Sequence, residues 1–225
     1  MNPRPYLIAA GLVVAAMLAV SAWAWPQIPA DAQVPIHWGL DGQANGWAPK
    51  PLALLGLPAM TAAIALLLAF APRVDPRYAN VRRSATAYWA ITFGALALMG
   101  VAHVAAVLAA TGRSVDIGLI VSLGIGALFV VVGNFLGKTR SSWIFGIRTP
   151  WTLSSERSWT KTHRLGGYLF LLLGLSVIVL AILAPRGPEA FILVGGLVVV
   201  VPILFVYSYL VWRDDPDRVQ LKGNE

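Results

Sequence analysis

The sequence predicts an all-α, polytopic membrane protein with six transmembrane helices. Its composition is the first reason: 58% of the 225 residues are hydrophobic, only 12% are charged and the mean hydropathy is +0.72. A soluble domain carries about 25% charged residues. The second reason is a series of apolar runs, each about the 20 residues that a helix needs to cross a bilayer. The third is a strong bias in the placement of positive charge.

Six apolar runs follow one another along the chain and together form one integral membrane domain. They cover residues 6–25, 52–72, 84–110, 115–136, 165–184 and 190–212. Pro58 and Pro202 lie inside the second and sixth runs, where neighbouring helices must satisfy the freed backbone groups. The first run follows Arg4 and resembles a signal peptide, but its apolar stretch is longer than the apolar region of a typical signal peptide. We therefore expect the first run to remain as a span.

The basic residues predict the direction of insertion. Of the 17 Lys and Arg residues, all but Lys50, Arg113 and Arg186 fall in the N-terminus, the C-terminal tail and the second and fourth connectors. Those four segments share one side of the membrane, so the positive-inside rule places both termini in the cytoplasm. The basic residues behind the net charge of +7 are then explained as determinants of membrane orientation. Because no compact basic domain is left to grip phosphates, we expect no direct nucleic-acid binding.

The long outer connector, residues 26–51, is predicted to be an ordered loop. Its prolines disfavour helix, and Asp41-Gly42 and Asn45-Gly46 are two turn signals, so a hairpin on the helix ends is one prediction. Three interpretations remain open: a binding surface, a metal site on His37 and Asp41, and a loop that Trp side chains anchor at the headgroups. A metal needs three or four ligands, and the sequence offers two here. The candidate binding residues are His37, Trp38, Asp41, Gly42, Trp47 and Lys50.

The long inner connector, residues 137–164, has an unusually specific sequence. We expect Trp143, Ile144 and Phe145 to face lipid while Arg148 reaches the headgroups. Thr149-Pro150 predicts an extended step, after which Thr152 or Ser154 caps a helix that continues into the fifth span. Gly166 and Gly167 then allow close packing between helices.

Glu156 lies in the first turn of that helix, where its charge suits the helix dipole. Glu156, Thr160 and His163 share one helix face, but about 10 Å of helix axis separates the carboxylate from the imidazole. No known catalytic motif accompanies them. The candidate binding residues of this connector are Arg148, Thr149, Pro150, Trp151, Glu156, Trp159, His163 and Arg164.

Two polar residues are predicted to lie within the membrane. His103 falls about 13 Å below the outer turn, and an intramembrane His indicates a functional site by default. A neutral His that hydrogen-bonds between helices is the main interpretation, and a small-solute transporter or channel with a polar site near His103 is the alternative. Asn134 is expected to cap its helix or bond across helices. With no cysteine and no catalytic motif, we expect no enzyme activity, no cofactor and no metal.

The two long connectors carry a family resemblance. IPADAQVPIHWGLDGQANGWAPK resembles the outer-loop signature of the DUF1648 domain. GNFLGKTRSSWIFGIRTPWTLSSERSWTKTHRLGG resembles the signature of the SdpI family, with Ser142 standing where the family often has Asn. The positions that match the first signature are Pro35, His37, Trp38, Gly42, Gly46, Trp47 and Lys50. Those that match the second are Asn134, Gly137, Lys138, Gly146, Ile147, Arg148, Thr149, Pro150, Trp151, Thr152, Leu153, Ser155, Glu156, Trp159, Thr162, His163 and Arg164.

The resemblance implies two units and a role. It implies a DUF1648-like unit at residues 1–72 and an SdpI-like unit at residues 73–225. It also implies a bacterial cytoplasmic membrane protein that gives immunity to a secreted antimicrobial peptide toxin, or signals its presence by holding a transcriptional repressor at the membrane. The expected partners are therefore the lipid bilayer, a peptide toxin on the outer face and a cytosolic repressor on the inner face. No catalytic residue is implied.

Overall fold

The computed structural model describes residues 1–39, 42–183 and 188–218. Its six long helices are long and apolar enough to cross a membrane, which confirms the predicted all-α polytopic fold. The long helices are α1 (Arg4–Ala24), α2 (Lys50–Phe70), α4 (Ala85–Ala110), α5 (Ile117–Leu136), α7 (Glu156–Leu183) and α8 (Pro188–Arg213). The connectors contain the short helices α3 (Tyr78–Arg83) and α6 (Pro150–Ser154) and the strands β1 (Gln33–Trp38) and β2 (Ala44–Pro49).

The two ends of the helix bundle differ in charge. One end carries the two strands and is here named the hairpin face; among the described residues its Lys and Arg are Lys50 and Arg113. The other end carries the remaining described Lys and Arg residues and is named the basic face. Residues 137–155 and the segment 71–84 lie at the basic face, where they meet.

The helices pack in two groups that α4 and α5 join. Helices α1, α2 and α4 pack on one another, and α7 packs between α5 and α8. Near the basic face, Tyr6, Ala65 and Leu96 belong to one buried apolar cluster of the first group. Near the hairpin face, Val34 of β1 is buried in a second cluster with Leu54 and Val107. The hairpin is therefore part of the packed core.

Helices α5 and α7 approach each other through glycines. A Cβ on Gly133 would lie 2.8 Å from the Gly167 carbonyl oxygen, and one on Gly174 would lie 2.6 Å from that of Gly126. Both distances are too short for a real Cβ, so the two backbones come as close as only glycine permits. This is the close packing predicted for the start of the fifth span, and it is typical of small residues in membrane helices.

Candidate functional site

The outer connector folds as an antiparallel hairpin, which confirms one of the predictions for it. Val34 pairs with Ala48 and both are buried, so they face the bundle. Because side chains alternate along a strand, the next pair, Pro35 and Trp47, lies on the opposite face. Trp47 is 54% exposed there. The hairpin thus holds a large aromatic side chain away from the bundle.

One of the two predicted turns is wrong. Asn45-Gly46 lies within β2, because Asn45 Oδ1 is 2.5 Å from His37 Nδ1 on β1 and Gly46 is paired with His37. A Cβ on Gly46 would lie 3.1 Å from the His37 Cβ, so the glycine makes room for the histidine. The other turn is at Gly42, whose φ of +74° is the left-handed conformation that glycine adopts readily. Asp41 lies outside the described residues.

Two further candidates of the hairpin face contribute to its packing. Trp38 is half-buried at the end of β1. Lys50 is 7% exposed, and its Nζ donates to the Ile28 carbonyl at 2.7 Å and lies 4.9 Å from the centre of the Trp25 ring. The ammonium of Lys50 is therefore engaged in holding the start of α2 against the end of α1.

His103 lies at a junction of three helices. Its Nε2 is 2.8 Å from Ser21 Oγ on α1, and the Ser21 hydroxyl donates to the Leu54 carbonyl on α2 at 2.7 Å. In a regular helix that carbonyl would accept from the N–H of residue 58, but residue 58 is Pro and has none. Ser21 therefore satisfies the carbonyl that Pro58 frees, and His103 donates to Ser21 in turn.

A second proline is compensated in the same way. Pro72 follows α2 and cannot donate to the Leu68 carbonyl, and the Tyr88 hydroxyl on α4 donates to that oxygen at 2.7 Å. Both ends of α2 are thus tied to neighbouring helices by side chains that replace a missing backbone donor.

An apolar cleft of about 390 Å³ lies beneath the hairpin. Strand β1 contributes Ile36, α2 contributes Leu52 and Met60, and α4 contributes Ala106. Among the lining residues His103 alone has a polar side chain. The cleft therefore offers an apolar surface near the ends of the helices at the hairpin face.

Asn134 does not take the predicted role. Its side chain is exposed, and its amide donates to the Val130 carbonyl of its own helix at 2.8 Å. Among the described residues this bond lies within α5, so Asn134 neither caps α5 nor bonds to another helix there.

On the basic face, a buried carboxylate organises the inner connector. Asp75 is 4% exposed, and its Oδ2 accepts from the backbone N–H groups of Trp143 at 2.8 Å and Ile144 at 3.1 Å. The guanidinium of Arg77 donates to the Ser141 hydroxyl and to the Leu153 carbonyl. The segment between α2 and α4 thereby fastens the connector at Ser141, Trp143, Ile144 and Leu153.

Trp159 and His163 form the centre of this connector. Both are fully buried, and their rings stack with centroids 3.9 Å apart. His163 Nδ1 lies 2.8 Å from the Trp159 carbonyl, so it carries the proton, and Nε2 accepts from the Ile147 N–H at 2.8 Å. The Trp159 indole N–H donates to the Thr139 carbonyl. His163 is thus a neutral structural group with a hydrogen bond at each ring nitrogen. It is buried, whereas Glu156 and Thr160 are exposed.

The residues predicted to cap the helix of the fifth span do not cap it. Thr149 caps the short helix α6, with Thr149 and Thr152 each bonding the other's backbone N–H. The long helix α7 begins separately, and the Ser155 hydroxyl accepts from the Ser158 N–H at 2.8 Å. Neither Thr152 nor Ser154 caps the helix that continues into the fifth span, because the extended backbone of Ser155 interrupts it.

Helix α8 closes the connector from the other side. Thr149 Oγ1 lies 3.0 Å from Ser208 Oγ, and the Ser158 hydroxyl donates to the Ser208 carbonyl. The Trp151 ring packs edge-on against Phe205 with centroids 4.7 Å apart. Of the candidate binding residues of this connector, the exposed ones are Arg148, Pro150, Glu156 and Arg164.

The segment after α8 docks on the first turn of α7. The Ser155 hydroxyl donates to the Asp215 carboxylate, and this bond, aided by the nearby charges of Arg157 and Arg218, holds the pKa of Asp215 below its usual range. Asp215 also accepts from the backbone N–H of Asp217 at 3.2 Å.

We expect Asp215→Asn to loosen this docking. A carboxyl whose pKa is lowered by folding stabilises the folded state above its ordinary pKa of about 3.9 and loses that contribution as the pH falls. At neutral pH, amide hydrogen exchange of residues 213–218 should therefore be several-fold faster in Asp215→Asn than in the wild type, and the difference should shrink as the pH falls below about 4 and through the lowered pKa of Asp215. Asp214→Asn is the control, since Asp214 is exposed and pairs with its neighbour Arg213. Equal exchange in the two variants would contradict the docking.

Sequence reasoning missed Asp75, Arg77, Ser208 and Asp215. One signal was available: Asp75 is the single acidic residue in the basic connector after the second span. The other three are ordinary polar residues of basic connectors and helix ends, and only the tertiary arrangement brings them to residues 139–158.

Two protein families match this chain, one over the connector of the basic face and one over the hairpin. The family model described as SdpI/YfhL protein family matches residues 138–208, which contain the whole connector core from Thr139 to Ser208. Over this region the chain is similar to the SdpI family. A second model, a domain of unknown function named DUF1648, matches residues 12–62, which contain the hairpin and Lys50.

A curated relative shows the same similarity. This chain is 24% identical to the Immunity protein SdpI of Bacillus subtilis (strain 168) over 149 residues, which are 66% of this chain and 69% of the relative. No solved structure matches the chain. The boundary at residue 73 between the two predicted units stays a prediction.

Proposed function

We propose that this protein lies in the bacterial cytoplasmic membrane and protects the cell from a secreted antimicrobial peptide toxin that it meets at the hairpin face. The proposal takes the basic face as cytoplasmic, because Lys and Arg concentrate there, and the hairpin face as external. The similarity to an immunity protein supports the role.

The hairpin is the structural feature that carries the proposal. It is folded and packed into the core, so it presents Trp47 on a rigid support, and the His37–Asn45 contact braces the two strands beside it. A pre-organised aromatic side chain loses little freedom when it binds, which makes it an effective anchor. The apolar cleft below the hairpin can receive the apolar side of an amphipathic peptide.

The alternative of a solute transporter receives less support. A polar pathway would need groups beyond His103, and the cleft beside His103 is lined by apolar side chains. The bonds between His103, Ser21 and Leu54 give the histidine a structural role between helices.

For signalling, the proposal places the cytosolic repressor on the exposed part of the basic face. Glu156 and Arg164 are exposed near the start of α7, whereas Trp159 and His163 are fully buried. A cytosolic partner therefore meets the charged side of α7, while the aromatic side of that helix holds the connector together.

Survival under toxin challenge tests the proposal. In Bacillus subtilis cells that lack their own SdpI, expression of this chain should raise survival when the secreted toxin is present. Trp47→Ala should lower the affinity for the toxin about thirtyfold, since truncating an aromatic anchor at an interface costs about 2 kcal/mol. Survival should fall accordingly, with expression in the membrane verified for each variant.

Two matched controls separate binding from folding. Trp23→Ala removes another exposed Trp, 42% exposed and stacked under Arg113 at the same end of the bundle, and should leave survival unchanged. Ala106→Phe fills the cleft and should lower survival. Ala59→Phe adds the same volume on an exposed part of α2 outside the cleft lining, so it should leave survival unchanged. Full protection by Trp47→Ala and Ala106→Phe together would exclude the hairpin face as the toxin site.

A further inference from the structure

Two large apolar side chains stand exposed where the second span meets the basic face. Val74 ends the apolar stretch Lys50–Val74 and is 78% exposed, and Trp143 of the connector is 51% exposed. Exposed Val and Trp at the end of a span suit the boundary between hydrocarbon and headgroups, where Trp is enriched in membrane proteins.

The fold holds the backbones of these two residues near one place. Asp75, directly after Val74, accepts from the Trp143 N–H, so the carboxylate fixes the backbone of Trp143 beside the end of the second span. The Arg148 guanidinium donates to the Trp143 carbonyl at 2.8 Å and so lies next to the same residue. Arg73, on the other side of Val74, stacks its guanidinium 4.7 Å from the centre of the Phe70 ring.

Arg73 and Arg148 make this place positively charged, and no described carboxylate neutralises them. Neither Arg73 nor Arg148 pairs with a carboxylate in the part of the chain that the structure describes. The nearest acid along the chain, Asp75, is buried and engaged with backbone N–H groups. Both guanidinium groups are therefore free to bind an anion from outside.

We propose that Arg73, Val74, Trp143 and Arg148 form a binding site for the headgroup of an anionic phospholipid in the leaflet that meets the basic face. A guanidinium matches a phosphate with two parallel hydrogen bonds, and the exposed Val and Trp enter the upper acyl region beside it. Each basic residue near an anionic bilayer surface raises affinity about fivefold, so the pair gives about a 25-fold preference for anionic over zwitterionic lipid. The site links the connector to the bilayer and does not rest on toxin immunity.

Quenching of Trp fluorescence by brominated lipids tests this site. The full chain is reconstituted in zwitterionic vesicles that contain a small fraction of either brominated phosphatidylglycerol or brominated phosphatidylcholine. The anionic lipid should quench the protein more strongly than the zwitterionic one. Because the chain has nine Trp residues, Trp143→Phe identifies the source, and the excess quenching should disappear in that variant.

Charge variants distinguish the site from the general charge of the basic face. Arg73→Gln with Arg148→Gln should abolish the preference, whereas Arg82→Gln with Arg83→Gln removes the same charge from exposed residues of α3 and should keep it. Arg73→Gln alone leaves the Arg148–Trp143 bond intact and should still reduce the preference about fivefold, which guards against a misfolded double variant. Equal quenching by both lipids, equal loss in both double variants, or excess quenching that persists in Trp143→Phe would each overturn the site. Equal quenching by both lipids would instead favour a protein partner at this site.

Discussion

Gly146→Ala is expected to destabilise the connector core on the basic face. Gly146 has a φ of +110°, a region that residues with a side chain rarely adopt. A Cβ there would lie 2.5 Å from His163 Nε2 and 2.8 Å from the Trp159 ring, both of which are fully buried and have no room to move. Backbone strain and overpacking together should cost about 3 kcal/mol of folding free energy.

Cysteine labelling measures how often the connector core opens. No other thiol interferes, because the chain contains no cysteine. Thr162 suits the probe position, since it is fully buried beside His163 and its hydroxyl has no hydrogen-bond partner to lose. In a Thr162→Cys background, a water-soluble maleimide should react slowly with the wild type and about a hundredfold faster once Gly146→Ala has lowered the stability by about 3 kcal/mol.

Gly112→Ala separates the two causes. Gly112 also has a positive φ, +82°, but a Cβ there would meet nothing within 4 Å. It should therefore show only the dihedral cost, about 1 kcal/mol. If Gly146→Ala labelled no faster than Gly112→Ala, the contact between Gly146 and the Trp159–His163 pair would not be what requires glycine.

The parts of the fold that depend on local composition were predictable. Apolar runs of spanning length predict helices whatever their neighbours are, and the six spans are present in the structure. The hairpin was one of the predictions for the outer connector because its prolines exclude helix and Gly42 allows a turn. The close approach of α5 and α7 followed from Gly166 and Gly167, since small residues permit it in membranes.

The parts that depend on partners distant in sequence were not predictable. Asn45-Gly46 has the composition of a turn, but pairing with His37 fixes it within a strand. Thr152 and Ser154 are as good caps as Ser155, and what selects Ser155 is the extended backbone after α6 together with Asp215, sixty positions away. Similarly, no local pattern shows that Asp75 binds the backbone of Trp143. The aromatic and polar string of the connector is specific because its members bond one another and two other segments.

Ser21→Ala is expected to destabilise the helix bundle through the Leu54 carbonyl. That oxygen is buried next to Pro58, so no backbone N–H of α2 replaces the lost hydroxyl. His103 Nε2 also loses its partner. Hydrogen bonds between membrane helices contribute about 0.6 kcal/mol on average, and an unsatisfied buried group costs about 1–3 kcal/mol, so we expect a loss of about 2 kcal/mol. Equilibrium unfolding of the purified protein in mixed micelles with increasing SDS measures it.

A double-mutant cycle with Pro58→Ala isolates the mechanism. Alanine at position 58 restores an N–H that can donate to the Leu54 carbonyl, as in a regular helix. Ser21→Ala should then cost about 1 kcal/mol less in the Pro58→Ala background than in the wild type, because only the His103 bond is lost there. Pro58→Ala alone also removes any kink, and the cycle cancels that effect because it is present in both Pro58→Ala proteins.

The size of the coupling decides what holds this junction together. A coupling near 1 kcal/mol means that Ser21 is required because of the proline, so the His103–Ser21–Leu54 chain repairs the backbone of α2. A coupling near zero contradicts this account, and it would mean that Ser21 stabilises the bundle through His103 alone. His103→Leu then distinguishes the two cases, since in the first it should cost less than Ser21→Ala and in the second it should cost the same.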